Sequence, residues 1–460
     1  MLRRVLVANR GEIALRIIRA CEALGIETVL ATSEVDRDSL PARTATRAIC
    51  IGPAASSESY LKVGALIAAA LGTGCDALHP GYGFLSESET LAEACAAEGI
   101  TFVGPTAEQI HRMGNKLEAR AAAREQGIPM LPGSARVASA ADALAVAAGI
   151  GYPVMLKAAA GGGGRGMKIV HVEAEMAGHF AAASGEARNA FGDDTLYLER
   201  YVANARHVEV QILGDHHGNI VHVGERDCSL QRRHQKLVEE SPAPGLPEAV
   251  RQALREAALV LGQAIAYRNA GTVEFIVDAD TNAFYFLEMN TRIQVEHPVS
   301  EMVSGIDLVE AQLRIAAGQP LGFEQSDVVL RGHAIECRIN AESPHLGFRP
   351  SPGLITCWDA PAGPNIRLDS HCQTGYRVPI HYDSMLGKLI VYGRTRDEAL
   401  RRMRQALSRF RIEGIESTIP FLEHVMADPD FAAGRVNTGL VERLIRTFEP
   451  AARPATSATV

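Results

Sequence analysis

The sequence predicts an α/β protein with several domains, and three observations support this fold class. The chain has 460 residues, too many for one hydrophobic core, so roughly three domains are expected. Strand-like and helix-like stretches alternate over the first hundred residues, which indicates a parallel, doubly wound sheet. Later stretches have the pattern of strand hairpins joined to amphipathic helices, which is typical of mixed α/β domains.

The N-terminal region begins with a buried strand at residues 4–8, followed by a helix that ends near Leu24. The other elements predicted here are strands at 27–32, up to 78 and at 101–104, and helices at 61–71 and 88–98. The loop at 79–84 follows one of these strands, and ligands of doubly wound sheets usually bind at such strand ends. Tyr82 in this loop either packs the turn or contributes to a binding site, and both interpretations stay open.

The central region combines helices with strand pairs. Its predicted helices lie at 116–126, 140–148, 173–190, 247–266 and 299–317, and its predicted strands at 152–160, 167–172, 196–202, 206–215, 219–227, 271–277 and from 285 onward. The C-terminal region has predicted strands at 333–342, 354–357 and 388–392 and a helix at 397–410. The expected division is therefore 1–114, 115–330 and 331–447, with a disordered tail at 448–460 that is rich in Pro, Ala, Ser and Thr.

Composition excludes several classes of function. A formal net charge of -8 argues against a nucleic-acid surface, which needs a basic field. The eight cysteines show no CxxC pair, which is typical of reduced thiols in a reducing compartment. No apolar run approaches the ~20 residues of a membrane span. The chain also enters its first strand without a leader-like segment, so a cytoplasmic, soluble enzyme is expected.

The stretch from Tyr285 to Val299 carries polar side chains at every second position. These are Glu288, Asn290, Arg292, Gln294 and Glu296. In an extended strand they share one face, and a solvated edge strand could produce the same pattern. The variety of the groups favours an active-site strand instead. Fully extended, this stretch would span ~26 Å, too far for one reaction centre, so the strand is expected to end soon after Asn290.

A metal site is predicted beside this strand. Glu274 lies on the partner strand of a hairpin and can face Glu288 and Asn290 across it. Three hard oxygen ligands of this kind suit Mg²⁺ or Mn²⁺. A soft metal is disfavoured, because no Cys or His is expected to join the cluster. His297 is interpreted as a packed or positioning residue.

The glycine run at residues 161–166 resembles a dinucleotide fingerprint at Gly161, Gly163 and Gly166. That fingerprint requires a helix to follow, whereas strand-like residues follow here. A strand–glycine–strand unit is a flexible hairpin whose backbone amides can close over phosphates. Lys157, just before the run, is placed to reach the same phosphates as a point charge.

A cationic segment at residues 225–236 forms the last motif. It concentrates Arg226, Arg232, Arg233, His234 and Lys236 in a chain that is acidic as a whole. A solvated basic loop is one interpretation. Contact with a bound anion is the favoured one.

Together these motifs are similar to those of the biotin carboxylase family, over about residues 2–445. The stretches that support the resemblance are residues 8–14, 79–87, the glycine run, 225–236 and 288–298. The resemblance implies a Rossmann-like N-terminal domain, an ATP-grasp domain with a mobile lid at about 131–203, and a C-terminal mixed α/β domain. It implies ATP-dependent carboxylation of biotin by bicarbonate.

The resemblance also assigns residues to roles. It implies ATP binding by Lys116, Lys157, Gly163, Gly164, Glu199, Arg200, Tyr201, Val202, His207, Gln231, His234, Glu274 and Glu288; metal binding by Glu274, Glu288 and Asn290; bicarbonate binding by Lys236, Arg292, Gln294 and the backbone of Val295; and biotin binding by Tyr82 and Arg338. The implied catalytic residues are Glu296, Arg292, Arg338 and Lys236. Glu296 would be the base that deprotonates bicarbonate, and Arg338 would stabilise the biotin enolate. The cofactors implied are ATP and two Mg²⁺ or Mn²⁺ ions.

Biotin itself is expected on another chain. The only Met-Lys dipeptide is Met167-Lys168, which lies beside the glycine run and lacks a second Met. A separate biotin carboxyl carrier protein and separate carboxyltransferase subunits are therefore expected as partners. Arg19 and Arg367 fit a homodimer interface, although Pro364 stands where an aromatic occurs in some relatives. Which acyl-CoA or other acceptor is used stays open.

Two other functions compete with this interpretation. Another ATP-grasp ligase, such as half of a carbamoyl phosphate synthetase, would share the lid and the metal ligands. Lys236, Glu296 and Arg338 in their contexts favour biotin instead. A non-catalytic scaffold that binds nucleotide is the other alternative, and the presence of every expected reactive residue argues against it.

Overall fold

The N-terminal region folds around a five-stranded parallel sheet. The computed structural model describes residues 2–134, 136–159 and 166–449. The strands are β1 (Arg4–Val7), β2 (Glu27–Ser33), β3 (Arg47–Gly52), β4 (Ala77–His79) and β5 (Thr101–Phe102), and the helices are α1 (Gly11–Ala23), α2 (Leu40–Thr44), α3 (Val63–Thr73), α4 (Glu89–Ala97) and α5 (Ala107–Gly114). The order β3-β2-β1-β4-β5, with every neighbour parallel, confirms the predicted doubly wound sheet. The strand β3 was not predicted from the sequence; it is a short edge strand whose residues are all exposed or half-buried.

A small unit follows, built on three antiparallel strands. After α6 (Lys116–Glu125), which packs in the core of the central sheet, its elements are α7 (Ala140–Ile150), β6 (Val154–Ala158), β7 (Lys168–Val170), α8 (Met176–Phe191) and β8 (Leu196–Arg200). The sheet order is β7-β6-β8, and the two helices α7 and α8 pack on it. Val154, Leu156 and Leu198 are fully buried in a core that belongs to this unit. This core is separate from the core of the central sheet.

An eight-stranded antiparallel sheet forms the centre of the molecule. Its first part contains β9 (Ala205–Gly214), β10 (Ile220–Arg232), β11 (Gln235–Ser241), α9 (Glu248–Ala264), β12 (Asn269–Asp278), β13 (Phe284–Asn290), α10 (His297–Ser304) and α11 (Leu308–Ala316). The order continues as β13-β12-β9-β10-β11-β14-β21-β19, where β14 is His333–Asn340, β19 is Ile366–Ser370 and β21 is Met385–Gly393. The sheet therefore crosses residue 331, so the central and C-terminal regions share one rigid layer.

The prediction of a single helix at residues 299–317 is wrong. The chain forms α10 and α11 instead, and Gly305 separates them in a left-handed conformation with φ of 74°. Glycine adopts this conformation at little cost and commonly ends a helix. Both helices carry buried apolar residues, although α10 packs with Ala334 and Ile390 and α11 packs on the core of the N-terminal sheet, which is why the pattern alone suggested one element.

Short strands and four helices of 4 to 14 residues complete the described C-terminal region. They are β15 (Glu342–Ser343), β16 (Arg349–Pro350), β17 (Gly353–Leu354), β18 (Cys357–Asp359), β20 (Arg377–Val378), α12 (Arg396–Arg409), β22 (Arg411–Glu413), α13 (Ile419–Ala427), α14 (Pro429–Ala432) and α15 (Leu440–Thr447). Phe448, assigned to the tail by the sequence, packs edge to face on Phe421 with ring centroids 5.4 Å apart. Residues from 450 onward lie outside the described part of the chain. Among the described helices, none is long and apolar enough to cross a membrane.

Candidate active site

Three connected cavities line the face of the central sheet that meets the small unit and the N-terminal sheet. The first, the Glu199 cavity, has a volume of about 360 Å³. Its walls include the residues predicted to line the nucleotide, which are Glu199, Arg200, Tyr201, Val202, His207, Gln231 and His234. Apolar side chains of Leu131, Met155 and Ile276 complete it. An apolar slot with a few polar groups at its edge is typical of a site for a flat ring system.

Two lysines lie where this cavity opens into the next one, the Lys236 cavity. Lys157 is on β6, and its Nζ is 2.6 Å from Oε2 of Glu199. Lys116 begins α6, and its Nζ is 3.9 Å from Oε2 of Glu288. Burial and the charges of Lys116 and Arg120 lower the pKa of Lys157, whereas the Glu288 carboxylate opposes that shift.

The glycine run that the sequence predicts as a lid lies between β6 and β7 in the chain. Gly163 and Gly164 lie outside the described residues, which resume at Gly166. The strands on either side, β6 and β7, pair antiparallel with Val154 opposite Val170. This confirms the strand–glycine–strand arrangement, and it excludes the helix that a dinucleotide fingerprint requires.

The hairpin of β12 and β13 places the predicted metal ligands together. Glu274 and Glu288 are cross-strand partners, and Asn290 donates from Nδ2 to Oε1 of Glu274 at 2.9 Å. Burial and the charge of Glu274 raise the pKa of Glu288, whose nearest cation is Lys116 at 3.9 Å. Two carboxylates held side by side, one without a close counter-ion, are hard oxygen donors that fit Mg²⁺ or Mn²⁺.

The expectation that no His joins this cluster is wrong. His207 projects from β9, the strand next to β12, and its Nε2 is 2.9 Å from Oε2 of Glu274. Glu209 lies two residues further along β9, 3.7 Å from the same imidazole nitrogen. The sequence could not show this contact, because the pairing of β9 with β12 joins segments about 60 residues apart. Cys228 also lies near, with its Sγ 4.0 Å from Oε1 of Glu296.

Lys236 is the centre of an ion-pair network. Its Nζ donates to Glu209 at 2.6 Å, to Glu274 at 3.1 Å and to Glu296 at 2.5 Å. Glu296 uses its other oxygen to accept from Nη2 of Arg338 at 2.9 Å. Although burial acts in the opposite direction, the charges of Lys236 and Arg338 hold the pKa of Glu296 far below its usual range.

Arg338 also binds a second carboxylate, that of Glu239. Its Nε donates to Oε1 of Glu239 at 2.6 Å, and burial raises the pKa of Glu239 to about 7. The two residues lie on neighbouring strands, β14 and β11, of the central sheet. The guanidinium therefore joins two carboxylates and is fixed in direction by both.

The loop after β13 turns back as predicted. The strand ends at Asn290, and Glu296 stands at the start of α10, close enough to share Lys236 with Glu274. Arg292 donates to Oε2 of Glu87 at 2.9 Å and to Oδ1 of Asn290 at 2.8 Å. Gln294 donates from Nε2 to Glu274 at 2.8 Å. His297 binds the Gln294 carbonyl through Nδ1 at 2.7 Å, in agreement with a positioning role.

Arg226 is not available to an anion, in contrast to the interpretation of the cationic segment. It is fully buried, opposite Glu209 in the pairing of β10 with β9. Its guanidinium donates to the side chains of Glu209, Gln211, Ser300, Thr272 and Gln294, at 2.6 to 3.1 Å. Arg226 therefore supports the site from inside the sheet. Arg233 and His234 form the turn between β10 and β11 and line the Glu199 cavity.

The third cavity, the Tyr82 cavity, adjoins the second. Tyr82, Arg338 and Val295 line it, so the residues predicted for biotin binding are brought together. The Tyr82 hydroxyl donates to Glu12 on α1. Lys236, Val295 and Arg338 line both this cavity and the Lys236 cavity. The two cavities thus meet at the Glu296–Arg338 contact.

Known protein families and relatives match this chain over nearly its whole length. Residues 1–110 match the family described as "Biotin carboxylase, N-terminal domain", residues 115–324 "Carbamoyl-phosphate synthase L chain, ATP binding domain", and residues 336–443 "Biotin carboxylase C-terminal domain". Biotin carboxylase 1 of Bacillus subtilis is 50% identical over 443 residues, which is 96% of this chain and 98% of that protein. The biotin carboxylase of Haemophilus influenzae is 52% identical over 445 residues, covering 96% of this chain and 99% of the relative.

The chain belongs to the biotin carboxylase family.

Members of the biotin carboxylase family carboxylate biotin at the expense of ATP. A solved structure of a biotin carboxylase from Campylobacter jejuni superposes with a TM-score of 0.94 at 49% identity, covering 96% of this chain and 99% of that one. This match confirms the predicted fold class: a Rossmann-like N-terminal part, an ATP-grasp part and a C-terminal α/β part.

Sequence reasoning missed several residues of this biotin carboxylase site. Glu209, Glu87 and Glu239 each contact a predicted site residue, and none was singled out. A signal for Glu209 was present, because His207, Glu209 and Gln211 alternate along β9 as the polar residues do along β13. Glu87 and Glu239 gave no such signal, since their partners lie on distant segments.

Proposed function

We propose that this protein uses ATP and bicarbonate to carboxylate biotin carried on a biotin carboxyl carrier protein, through a carboxyphosphate intermediate. One observation supports this most directly: Lys236, Val295 and Arg338 line both the Lys236 cavity and the Tyr82 cavity. An activated carboxyl group formed in the Lys236 cavity would therefore meet its acceptor in the Tyr82 cavity without crossing solvent.

ATP is assigned to the Glu199 cavity and the lysines beside it. The biotin carboxylase of Campylobacter jejuni is solved as a β-γ-ATP complex, and a 2-oxoglutarate carboxylase domain of Hydrogenobacter thermophilus, 44% identical, as a complex with MgADP and bicarbonate. Glu199 to Val202, His207, Gln231 and His234 would hold the base and ribose. Lys116 and Lys157, with Gly163 and Gly164 of the glycine run, would bind the phosphates as charge and backbone donors.

Glu274, Glu288 and Asn290 would hold Mg²⁺ or Mn²⁺, as two ions. When bound, these ions offset the charge on the nucleotide phosphates. Among the three residues, Glu288 has no cation within hydrogen-bond distance, since Lys116 is 3.9 Å away, and this supports its assignment as a ligand. Glu274 already accepts hydrogen bonds from Lys236, Asn290 and Gln294, and Nε2 of His207 lies 2.9 Å from it.

Bicarbonate is assigned to Lys236, Arg292, Gln294 and the backbone of Val295. The side chains converge on one cavity, and two of them are cations. Bicarbonate is a poor electrophile, so its oxygen must attack the γ-phosphorus of ATP and become an acyl phosphate. Glu296 would take the proton from bicarbonate in that step.

The electrostatics of Glu296 constrain this role. The cations Lys236 and Arg338 keep its pKa low, which makes it a weak base as it stands. An anion bound at Lys236 would compete for that ammonium and weaken the contact with Glu296. The pKa of Glu296 would then rise toward the range in which a general base is effective.

Biotin is assigned to the Tyr82 cavity. Phosphate released with CO₂ would accept the proton from the ureido nitrogen, leaving an enolate oxygen. Arg338 offers a planar, two-point donor to that oxygen, and Glu239 fixes its orientation. Together, Glu296, Arg292, Arg338 and Lys236 are the proposed catalytic residues.

The decisive experiment measures ATP hydrolysis with bicarbonate, with and without free biotin, together with formation of carboxybiotin. Biotin-stimulated hydrolysis and carboxybiotin are expected. Hydrolysis without any response to biotin would favour the carbamoyl-phosphate-type ligase, and nucleotide binding without hydrolysis would favour a non-catalytic scaffold.

The assembly forms a further part of the proposal. We propose the same three parts, with boundaries at 114, 330 and 447, a lid at about 131–203, a homodimer in the cytoplasm, and a separate carrier and carboxyltransferase. The related domain of Hydrogenobacter thermophilus is solved as a dimer. In this chain Arg19 is exposed, whereas Arg367 is paired with Glu301 and Asp369. The mass measured in solution tests the dimer.

The acceptor of the second half-reaction is proposed to be an acyl-CoA, with acetyl-CoA and fatty-acid synthesis as the first case to test. Relatives include a 2-oxoglutarate carboxylase domain and a pyruvate carboxylase subunit, so 2-oxo acids are the competing class. Isolation of the biotinylated partner complex, followed by assays with acetyl-CoA, propionyl-CoA, pyruvate and 2-oxoglutarate, distinguishes these acceptors.

A further inference from the structure

Lys388 lies behind the wall where the Lys236 and Tyr82 cavities meet. It is on β21, its side chain is fully buried, and it lines neither cavity. Its Nζ donates to the carbonyl oxygen of Val295 at 2.9 Å and is 3.1 Å from Oε1 of Glu12. An ammonium group is costly to remove from water unless acceptors are fixed around it, so this placement is specific.

The residues opposite Lys388 on the neighbouring strands do not compete with these two acceptors. Asp369 on β19 and Arg338 on β14 stand opposite it in the sheet. Asp369 is 3.8 Å away, and Arg367 holds both of its oxygens at 2.8 and 2.7 Å. Among the described residues, the close acceptors of Lys388 are therefore Val295 and Glu12.

Glu12 extends the connection to the other side of the Tyr82 cavity. The same oxygen that faces Lys388 accepts the hydroxyl of Tyr82. Glu12 lies in the first turn of α1, where the helix dipole favours a carboxylate. One buried cation thus joins a loop of the central region, a helix of the N-terminal sheet and a strand of the C-terminal part.

We propose that Lys388 is a positioning residue for the carboxylation reaction. It fixes the peptide group between Val295 and Glu296, and through Glu12 it fixes the hydroxyl of Tyr82. The Val295 carbonyl belongs to the peptide that leads into Glu296, so its orientation sets the direction of the Glu296 side chain. The bicarbonate loop and the biotin pocket are thereby held in one geometry. This inference rests on the proposed function of both cavities.

The test uses a variant that conserves charge balance. Lys388→Met alone would leave Glu12 buried without its cation and could prevent folding. Lys388→Met combined with Glu12→Gln removes both charges, keeps both side-chain lengths, and leaves an amide oxygen that can accept the Tyr82 hydroxyl. The hydrogen bond to Val295 is lost in either case.

We expect the double variant to fold, with a KM for bicarbonate raised about tenfold and a biotin-dependent rate lowered about tenfold, as for loss of one charged hydrogen bond. The KM for ATP should stay within about twofold, because Lys388 does not line the Glu199 cavity. A matched control is Arg396→Met with Glu240→Gln, a buried pair at 2.7 Å outside all three cavities. It should lower thermal stability and leave both KM values unchanged.

Two results would overturn the proposal. A double variant with the wild-type KM for bicarbonate would show that Lys388 only balances Glu12. Equal increases in KM for ATP and bicarbonate would show a general structural role. Failure of the proposed function itself is distinguishable, because the unmodified enzyme would then show no biotin-stimulated ATP hydrolysis.

Discussion

Replacement of Glu296 by Gln tests the chemistry of the site most sharply. The Glu296 side chain is 2% exposed and is held by Lys236 at 2.5 Å and by Arg338 at 2.9 Å. Gln has the same size, and its amide oxygen can still accept a hydrogen bond from one of these cations. It cannot take up a proton, so Glu296→Gln removes the proposed base while disturbing the packing little.

The expected magnitude follows from that single loss. A positioned general base contributes about 10² to 10⁴ in rate, so kcat for biotin carboxylation should fall at least ~10²-fold. Nucleotide affinity should change by less than about twofold, because Glu296 does not line the Glu199 cavity. The apparent KM for bicarbonate should fall, since a neutral amide no longer competes with the anion for the charge of Lys236.

The assay follows carboxybiotin formation and ADP release in parallel, and it measures nucleotide binding separately. Glu240→Gln is the matched control, a buried carboxylate that binds Arg396 at 2.7 Å and His333 at 2.8 Å outside the cavities. The control should keep turnover within about threefold, as expected for a site without substrate contact. Near-normal turnover of Glu296→Gln would refute the assignment of Glu296 as the base.

Three further predictions concern Arg338, Arg226 and Glu336. Arg338→Ala should lower biotin carboxylation at least ~10²-fold while nucleotide still binds, and normal turnover with unchanged binding would contradict the enolate role. Arg226→Met should destabilise the protein by about 3–5 kcal/mol, because Glu209 loses a fully buried partner; an unchanged unfolding midpoint in a thermal scan would contradict this. Glu336 is fully buried with no hydrogen-bond partner for either oxygen among the described residues, and burial raises its pKa well above the usual range. Because the folded state then keeps a proton that the unfolded state loses near pH ~4.3, this group contributes stability at low pH that is lost as pH rises. Glu336→Gln should therefore raise the unfolding temperature more at pH 8 than at pH 5, and an equal change at both pH values would contradict the shift.

Local patterns predicted the parts of the fold that depend on neighbouring residues. The parallel N-terminal sheet follows from alternating strands and helices, and the closeness of Glu274 to Glu288 follows from a hairpin, although a register shift between Glu274 and Phe275 sets their exact pairing. The end of β13 at Asn290 was predicted because a fully extended stretch as far as Glu296 would be too long for one reaction centre. The division of residues 299–317 into two helices was missed, because a glycine in a helical pattern does not reveal whether it ends the helix.

These local patterns could not predict contacts between segments that are distant in the sequence. His207 joins the Glu274 cluster only because β9 pairs with β12, and Arg226 is buried only because Ser300 of α10 and Gln294 of the loop before it close over its guanidinium. Composition suggested an anion for Arg226, whereas the structure gives it five buried acceptors. Charge concentration along the chain does not distinguish a cation that meets a ligand from one that binds its own sheet.

The sequence by itself determined the family, the class of fold and the set of chemically reactive residues, since these depend on residue types at short, fixed spacings. The tertiary structure decided which of those residues meet. Lys236 contacts three carboxylates from three different segments, and Lys388 joins Val295 to Glu12 across 283 residues of chain, the difference between positions 295 and 12. The physical reason is that side-chain direction and strand register are fixed by packing of the whole sheet, which no local pattern encodes.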